Sequence, residues 1–161
     1  MAKQILLTES NFNKLKEKIK KEKLEEKRAI IYSSEDDELN RKVMEKLPID
    51  ILLINQKNRE DFQKQRNSGF NQVIAKIAKK KDITIGINLD EIIEKDNLKE
   101  KAEIISRIKQ NVFLCNKEKV KMAFIVQESK NLRNIYDLKS LGTVLGMPTW
   151  MTSSPAFSKQ F

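Results

Sequence analysis

Residues 65–93 read QRNSGFNQVIAKIAKKKDITIGINLDEII, a charged loop followed by a helix, a strand and an acidic turn. Asn67 and Ser68 carry oxygens of the kind that accept hydrogen bonds from the first free N–H groups of a helix. Beyond Gly69, Phe70, Val73, Ile74 and Ile77 recur at helical spacing, which predicts a helix over 69–80 with that face turned inward. Arg66, Asn71, Gln72 and Lys76 are left on the outward or N-terminal side. A helix start offers unpaired N–H groups and the positive end of a dipole, and Arg66 adds a full charge beside it. The combination suits a phosphate.

Outward from this stretch the same strand–helix alternation continues in both directions. Strands are expected over 4–8, 29–32, 49–54, 83–87 and 122–127. The run at 49–54 is continuously apolar, the pattern of a strand buried on both faces of a parallel sheet. Phe12, Leu15 and Ile19 share one face of a helix capped by Ser10 or Asn11. Ser34 with Asp37 reads as a capping box with the shorter acid, ahead of a helix that buries Leu39, Val43 and Leu47. A long helix over 98–117 carries Ala102, Ile105, Ile108, Val112 and Cys115 as its apolar stripe. Ile135, Leu138, Leu141 and Leu145 define the last helix, which Pro148 stops. Such alternation predicts an α/β fold with parallel strands and right-handed crossovers, in about five strand–helix units. Periodicity alone leaves a barrel and an open doubly wound sheet both in play.

The 161 residues suit one domain, able to bury about two thirds of the surface of the unfolded chain. Residues 1–147 read as that domain and 148–161 as a C-terminal tail without a period. In the tail, Trp150, Met151, Phe157 and Phe161 are expected to fold back onto the domain, or else to dock a partner. No apolar run approaches about 18 residues and the N-terminus lacks the order of a secretory signal, so a cytoplasmic protein with no membrane span is expected. One cysteine, Cys115, suits a reducing compartment and reads as a small core residue.

Lysine and arginine number 32 against 23 acids, a formal charge of +9. That favours polyanionic partners, nucleic acid foremost, although Lys/Glu-rich surfaces also arise in thermophiles. The chain has no histidine. It therefore lacks the commonest general base and the commonest metal ligand, and a Ser-His-Asp site cannot be built from it.

In parallel α/β folds, function gathers where strands end. Those ends supply Ser33 and Ser34, then residues 55–59, 88–91 and 127–130. The long loop after the third strand carries Lys57, Arg59, Lys64 and Arg66, four cations suited to backbone phosphates. On the long helix, Arg107 and Lys109 precede Asn111, so that Arg grips a phosphate while Asn reads a sugar or base. Arg107 has the alternative of pairing with Glu103 one turn away. Asp90, Glu91 and Glu94 suggest magnesium, but acids at helix ends are common and favour that reading.

The run Arg66–Ala78 resembles the R-D/N-S-G-x-N/D-H-V-L-A-K-L-A motif of the archaeal and eukaryotic ribonuclease P protein family called component 3, the thirty-kilodalton subunit. Ile83–Asn88 and Asp90–Ile93 are similar to the strand and acidic turn that follow it there. Ile105–Asn111 resembles the family's L-S-R-M-R-K-N, Tyr136–Lys139 its W-D-L-R, and Leu145–Met147 its L-G-M. Upstream, Asn40-Arg41 and Pro48–Leu52 are similar to its N-R and R-V-D-I-L. The likeness spans residues 5–147. Departures occur at Gln72, where the family has histidine, at 56–58 in place of a His-Pro turn, and at 127–129 in place of Ser-Gly-Ala.

The resemblance implies a TIM-type barrel, here partial or reduced, because the amino-terminal units of the family pattern are missing. An open edge is then expected to be covered by a second copy, a partner subunit or a terminal segment. It also implies a protein subunit of ribonuclease P, supporting RNA-catalysed removal of the 5′ leader from precursor tRNA. Its partners would be the ribonuclease P RNA, precursor tRNA and the component 2 protein, in a homodimer or heterotetramer. The protein itself is expected to bind no cofactor, with magnesium serving the RNA subunit. On this reading Lys57, Arg59, Lys64, Arg66, Asn67, Ser68, Asn71, Lys76, Arg107 and Lys109 contact RNA or a partner. The rivals are a metal-dependent phosphoesterase with oxygen ligands at Asp90 and Glu91, and a non-catalytic α/β interaction domain.

Overall fold

Five short aliphatic runs pair side by side in a computed structural model that describes residues 3–157. The strands are β1 (Gln4–Leu7), β2 (Ala29–Tyr32), β3 (Ile51–Ile54), β4 (Thr84–Asn88) and β5 (Met122–Ile125). Every adjacent pair is parallel, and the order across the sheet is the order along the chain. A doubly wound sheet reverses direction at a switch point; this one never does. With crossovers of one hand, unidirectional winding puts every connecting helix on the same face and turns the other face inward. The fold is a partial barrel.

Two apolar clusters follow from the period-2 alternation of the strands. The larger joins Ile30, Tyr32, Leu52, Ile54, Ile85, Ile87 and Phe124 to the helices. The smaller is the inner face: Ile31, Ile51, Leu53, Ala123 and Ile125, with Leu6 against them. Each fully buried Ile or Leu contributes about 1.5–3 kcal/mol. Gly86 lies between Leu53 and Ala123 in register, and a Cβ there would stand 2.9 Å from Ile125 Cγ1. Absence of a side chain at Gly86 is what lets the inner layer close up.

The helices are α1 (Phe12–Leu24), α2 (Asp37–Lys46), α3 (Gln72–Lys81), α4 (Leu89–Glu94), α5 (Leu98–Glu118), α6 (Ile135–Val144) and α7 (Thr149–Thr152). Asn11 caps α1 as expected, accepting from the N–H groups of Asn13 and Lys14. Three expectations need correction. Asp36, not Ser34, caps α2, because its carboxylate reaches two N–H groups while the Ser34 hydroxyl accepts from Asp36 itself. Asn71, not Asn67 or Ser68, caps α3, so the helix starts at Gln72 and Gly69 lies outside it at a φ of +68°. Val73 is consequently exposed, and Ile74, Ala75 and Ala78 form the inward face. Third, the buried stripe of α5 is Ile104, Arg107, Ile108, Asn111, Val112 and Cys115. It is rotated from the stripe read through Ala102 and Ile105, because two of its members are polar.

The tail folds back. Met151 and Phe157 are fully buried, and the Phe157 ring meets Phe124 of β5 edge-on at 5.5 Å between centroids. Such a pair contributes about 0.5–1.5 kcal/mol beyond its burial. Trp150 is exposed but touches α5, its indole N–H donating to Asn116 Oδ1 with the Lys119 ammonium over the ring. Phe161 lies outside the described residues. Cys115 is buried, which pushes its thiol well above the ordinary range, consistent with a core residue.

Candidate functional site

At the C-terminal ends of the strands, the inward alternation passes from apolar to polar residues. Ile31 gives way to Ser33, Leu53 to Asn55 and Gly86 to Asn88. These three form a ladder across the barrel mouth: Asn55 Nδ2 donates to Ser33 Oγ at 3.3 Å and Asn88 Nδ2 to Asn55 Oδ1 at 3.0 Å. Asn88 Oδ1 then caps α4 by accepting from the Asp90 N–H. The cleft above has a volume of about 620 Å³ and is rimmed by Asp90, Glu91, Glu94 and Glu128, with Lys57 and Lys95.

Three of those acids, Asp90, Glu91 and Glu94, are engaged. Asp90 accepts from the Gln127 N–H at 2.8 Å and from Asn131 Nδ2 at 2.8 Å, fixing the loop after β5. Glu91 accepts from the Gln56 and Lys57 N–H groups at 2.8 and 3.1 Å, fixing the loop after β3. Burial pushes the Glu91 carboxyl above its ordinary value, opposed by those two hydrogen bonds. Glu94 pairs with the Lys130 ammonium at 2.9 Å, which holds its carboxyl low. Among the described residues no three Asp, Glu or Cys side chains converge as metal ligands. The helix-end reading of Asp90 and Glu91 becomes more specific: α4 is a hub that ties two loops together.

The loop between β3 and α3 is clamped from beneath. Arg107 is only 3 % exposed and donates to Asp61 at 2.8 Å, to the Arg59 carbonyl at 2.9 Å and to the Gln56 carbonyl at 3.3 Å. Its expected pairing with Glu103 is a remote 3.9 Å. Arg59 binds Asp37 of α2 through two parallel bonds of 2.8 Å and donates Nε to the Asn55 carbonyl at 2.7 Å. Gly69 makes this possible, since a Cβ there would fall 2.4 Å from Arg59 Nη2. Asp61 is the counter-charge, accepting from Arg107, from Arg66 at 3.1 Å and from the Asn67 N–H at 2.9 Å. The Arg107 guanidinium, foremost, holds its carboxyl below the usual range. Buried Ser68 receives Gln110 Nε2, and its carbonyl receives Gln56 Nε2.

The ten expected contact residues thus divide. Lys57, Lys64, Arg66, Asn71, Lys76 and Lys109 are exposed and Asn67 half-exposed. Arg107, Arg59 and Ser68 are turned inward, with their polar groups engaged by the chain itself, so the phosphate-gripping geometry expected for Arg107 is absent. Asn111 is buried as well and offers no outward edge. Asp61 escaped notice in the sequence, whereas Asn55 and Asn88 were placed at the strand ends without the ladder that joins them. The signal for the asparagines was there, polar residues two positions beyond inward apolar ones. For Asp61 it was an acid set among Arg59, Lys64 and Arg66.

On the other side of the clamped loop, between α2, α3 and α5, runs a second groove of about 620 Å³. It is lined by Arg41, Phe62, Arg66, Asn71 and Phe113 among others. Phe62 and Phe113 are 58 % and 68 % exposed.

The chain is thus a unidirectional parallel partial barrel with a clamped cationic loop beside its mouth. The chain belongs to the RNase P subunit p30 family, whose model matches residues 2–154. Among solved structures it is similar to a chain of the cryo-EM structure of archaeal ribonuclease P with mature tRNA, at 23 % identity and a TM-score of 0.74. That alignment takes in 92 % of this chain and 62 % of the other, so the fold is shared over somewhat less than two thirds of the longer protein. No curated protein sequence matches. Among the described residues no helix is long and apolar enough to cross a membrane.

Proposed function

We propose that the chain acts as a non-catalytic protein subunit of ribonuclease P, supporting removal of the 5′ leader from precursor tRNA by the RNA subunit. The family match over residues 2–154 carries this reading. The engagement of the mouth carboxylates in loop-holding supports a binding role over a phosphoesterase. Catalysis and its magnesium belong to the RNA. Exposed Lys57, Lys64, Arg66, Lys76 and Lys109, with Asn67 and Asn71, contact RNA backbone or the partner protein, component 2. Arg59, Arg107 and Ser68 serve the same surface by holding the loop in shape. Assembly as a homodimer or within a heterotetramer, in the cytoplasm, completes the proposal.

Reconstitution tests it. Precursor tRNA cleavage by the cognate RNA and component 2 is measured with and without this chain at moderate magnesium. A rise that vanishes when the RNA is omitted, and shrinks for Arg66→Ala, is the expected result. No rise with a folded partner would refute the subunit role, and cleavage without RNA would favour the phosphoesterase.

A further inference from the structure

The groove beside the clamped loop has a chemistry that phosphate contact does not use. Two phenylalanine rings, Phe62 from the loop and Phe113 from α5, stand largely in solvent on its walls. Large exposed apolar side chains scattered singly need no explanation, but two rings lining one groove do. Between them lie the half-exposed Arg66 guanidinium and the amide groups of Asn67 and Asn71. Of the two acids that line the groove, Asp37 is matched by the bidentate Arg59, and Glu38 is exposed on α2 beside Arg41. Lys64, Lys76 and Lys109, all exposed, sit in the sequence next to groove residues Gln65, Gln72 and Gln110 or one turn from them. The result is apolar platforms, hydrogen-bonding edges and a cationic border in one place.

We infer that this groove takes an unpaired RNA nucleotide, its base stacked on Phe113 or Phe62 and its phosphate near Arg66. Duplex RNA buries its base faces in the stack and presents only backbone, so it cannot use a ring. Single strands offer a π-face at every base, and stacking on an aromatic side chain is sequence-tolerant. A protein partner would fit a continuous apolar surface better than rings set among guanidinium and amide groups. The clamp anchors the backbone beside the platform: Arg107 donates to Asp61, the residue preceding Phe62, at 2.8 Å. The inference rests on the reading of the chain as an RNA-binding subunit and adds the form of RNA that it recognises.

The test uses the full chain with a labelled single-stranded oligouridine and a blunt RNA duplex of equal length, titrated side by side. Preference for the single strand is expected. Phe113→Leu and Phe62→Leu should each weaken single-strand binding roughly five- to hundredfold, as loss of one stacked base predicts, with duplex binding unchanged. Phe113→Trp should restore it, which separates stacking from mere apolar volume. Equal binding of both RNAs, insensitive to the phenylalanines but weakened by Arg66→Ala, would overturn stacking and leave the subunit proposal standing. Leucine variants that bind RNA normally but lose component 2 would mark the groove as a protein surface and overturn the inference too. No binding of either RNA refutes it as well, with reconstitution deciding the subunit role separately.

Discussion

The barrel mouth and the side groove have equal volumes and opposite characters. At the mouth, Asp90 and Glu91 use their oxygens on backbone N–H groups of neighbouring loops. At the groove, the polar groups that matter to shape are underneath, in Arg107 and Arg59, and the surface keeps its rings and lysines in solvent. Parallel barrels are ordinarily read from the mouth, where strand ends converge. Here the mouth holds the loops in place and the groove is left free to meet something else. Proximity to strand ends therefore locates the polar machinery, but whether that machinery is engaged decides where a partner binds.

The largest effect expected from breaking this division is at Arg107. Arg107→Met takes the closer of two guanidiniums from Asp61, which keeps Arg66 and the Asn67 N–H, and leaves two loop carbonyls without that donor. The cost should be about 3 kcal/mol, or roughly 6–12 °C in Tm for a chain of this length. Limited proteolysis should open the loop at Lys57 and Lys64 while the β-sheet stays protected. An unchanged Tm would mean that the clamp does not hold the loop. Next, Asp90→Ala should cost about 2 kcal/mol by freeing the Gln127 N–H and Asn131. Precursor cleavage in the reconstituted enzyme should fall only as far as folding does. Abolished cleavage with an unchanged melting curve would return the chemistry to the mouth.

Acid separates Asp61 of the clamp from Glu91 of the mouth by sign. Asp61 has a depressed carboxyl, so its contribution is complete above the unfolded value of 3.8 and is lost as pH falls through the folded one. Glu91 has a raised carboxyl, so its contribution grows as pH falls through the folded value towards the unfolded 4.5. Hydrogen exchange across a mild acid series should therefore show the 55–71 loop loosening around Asp61 below about pH 4, a loss to which Glu91 does not add. The loosening should be missing from Asp61→Asn. The smallest effect belongs to Lys64→Gln, with stability inside about 0.5 kcal/mol of the parent. If Lys64 touches a phosphate, the log–log salt slope of RNA binding falls by about 0.7–0.9.

The sequence disclosed the sheet because aliphatic runs such as 29–32 and 51–54 have no other stable home. It disclosed five of the seven α-helices of the described residues to within a turn, reading α4 as an acidic turn and α7 as part of a tail without a period. It misplaced starts where several capping residues compete, as at Ser34–Asp37 and Asn67–Asn71. Polar residues that fold inward were invisible: a helix stripe containing Arg107 and Asn111 reads as a surface until a counter-charge is placed beneath it. That counter-charge, Asp61, sits 46 positions away along the chain, beyond the reach of periodicity. The cationic loop was legible as a whole, but which of its cations face solvent is a property of the clamp.

Strand order also bears on how the chain acquires its structure. Each strand pairs with the one made just before it, so a chain emerging from the ribosome always has its next template already in place. Contacts stay short in sequence, loop closure is correspondingly cheap in entropy, and folding can advance unit by unit from the amino terminus. A later step belongs to the segment after α7, when Phe157 seats against Phe124 and covers that side of β5. Until that happens the chain carries a bare apolar flank beside β5, and the segment following α7 is the one that ends its exposure to aggregation.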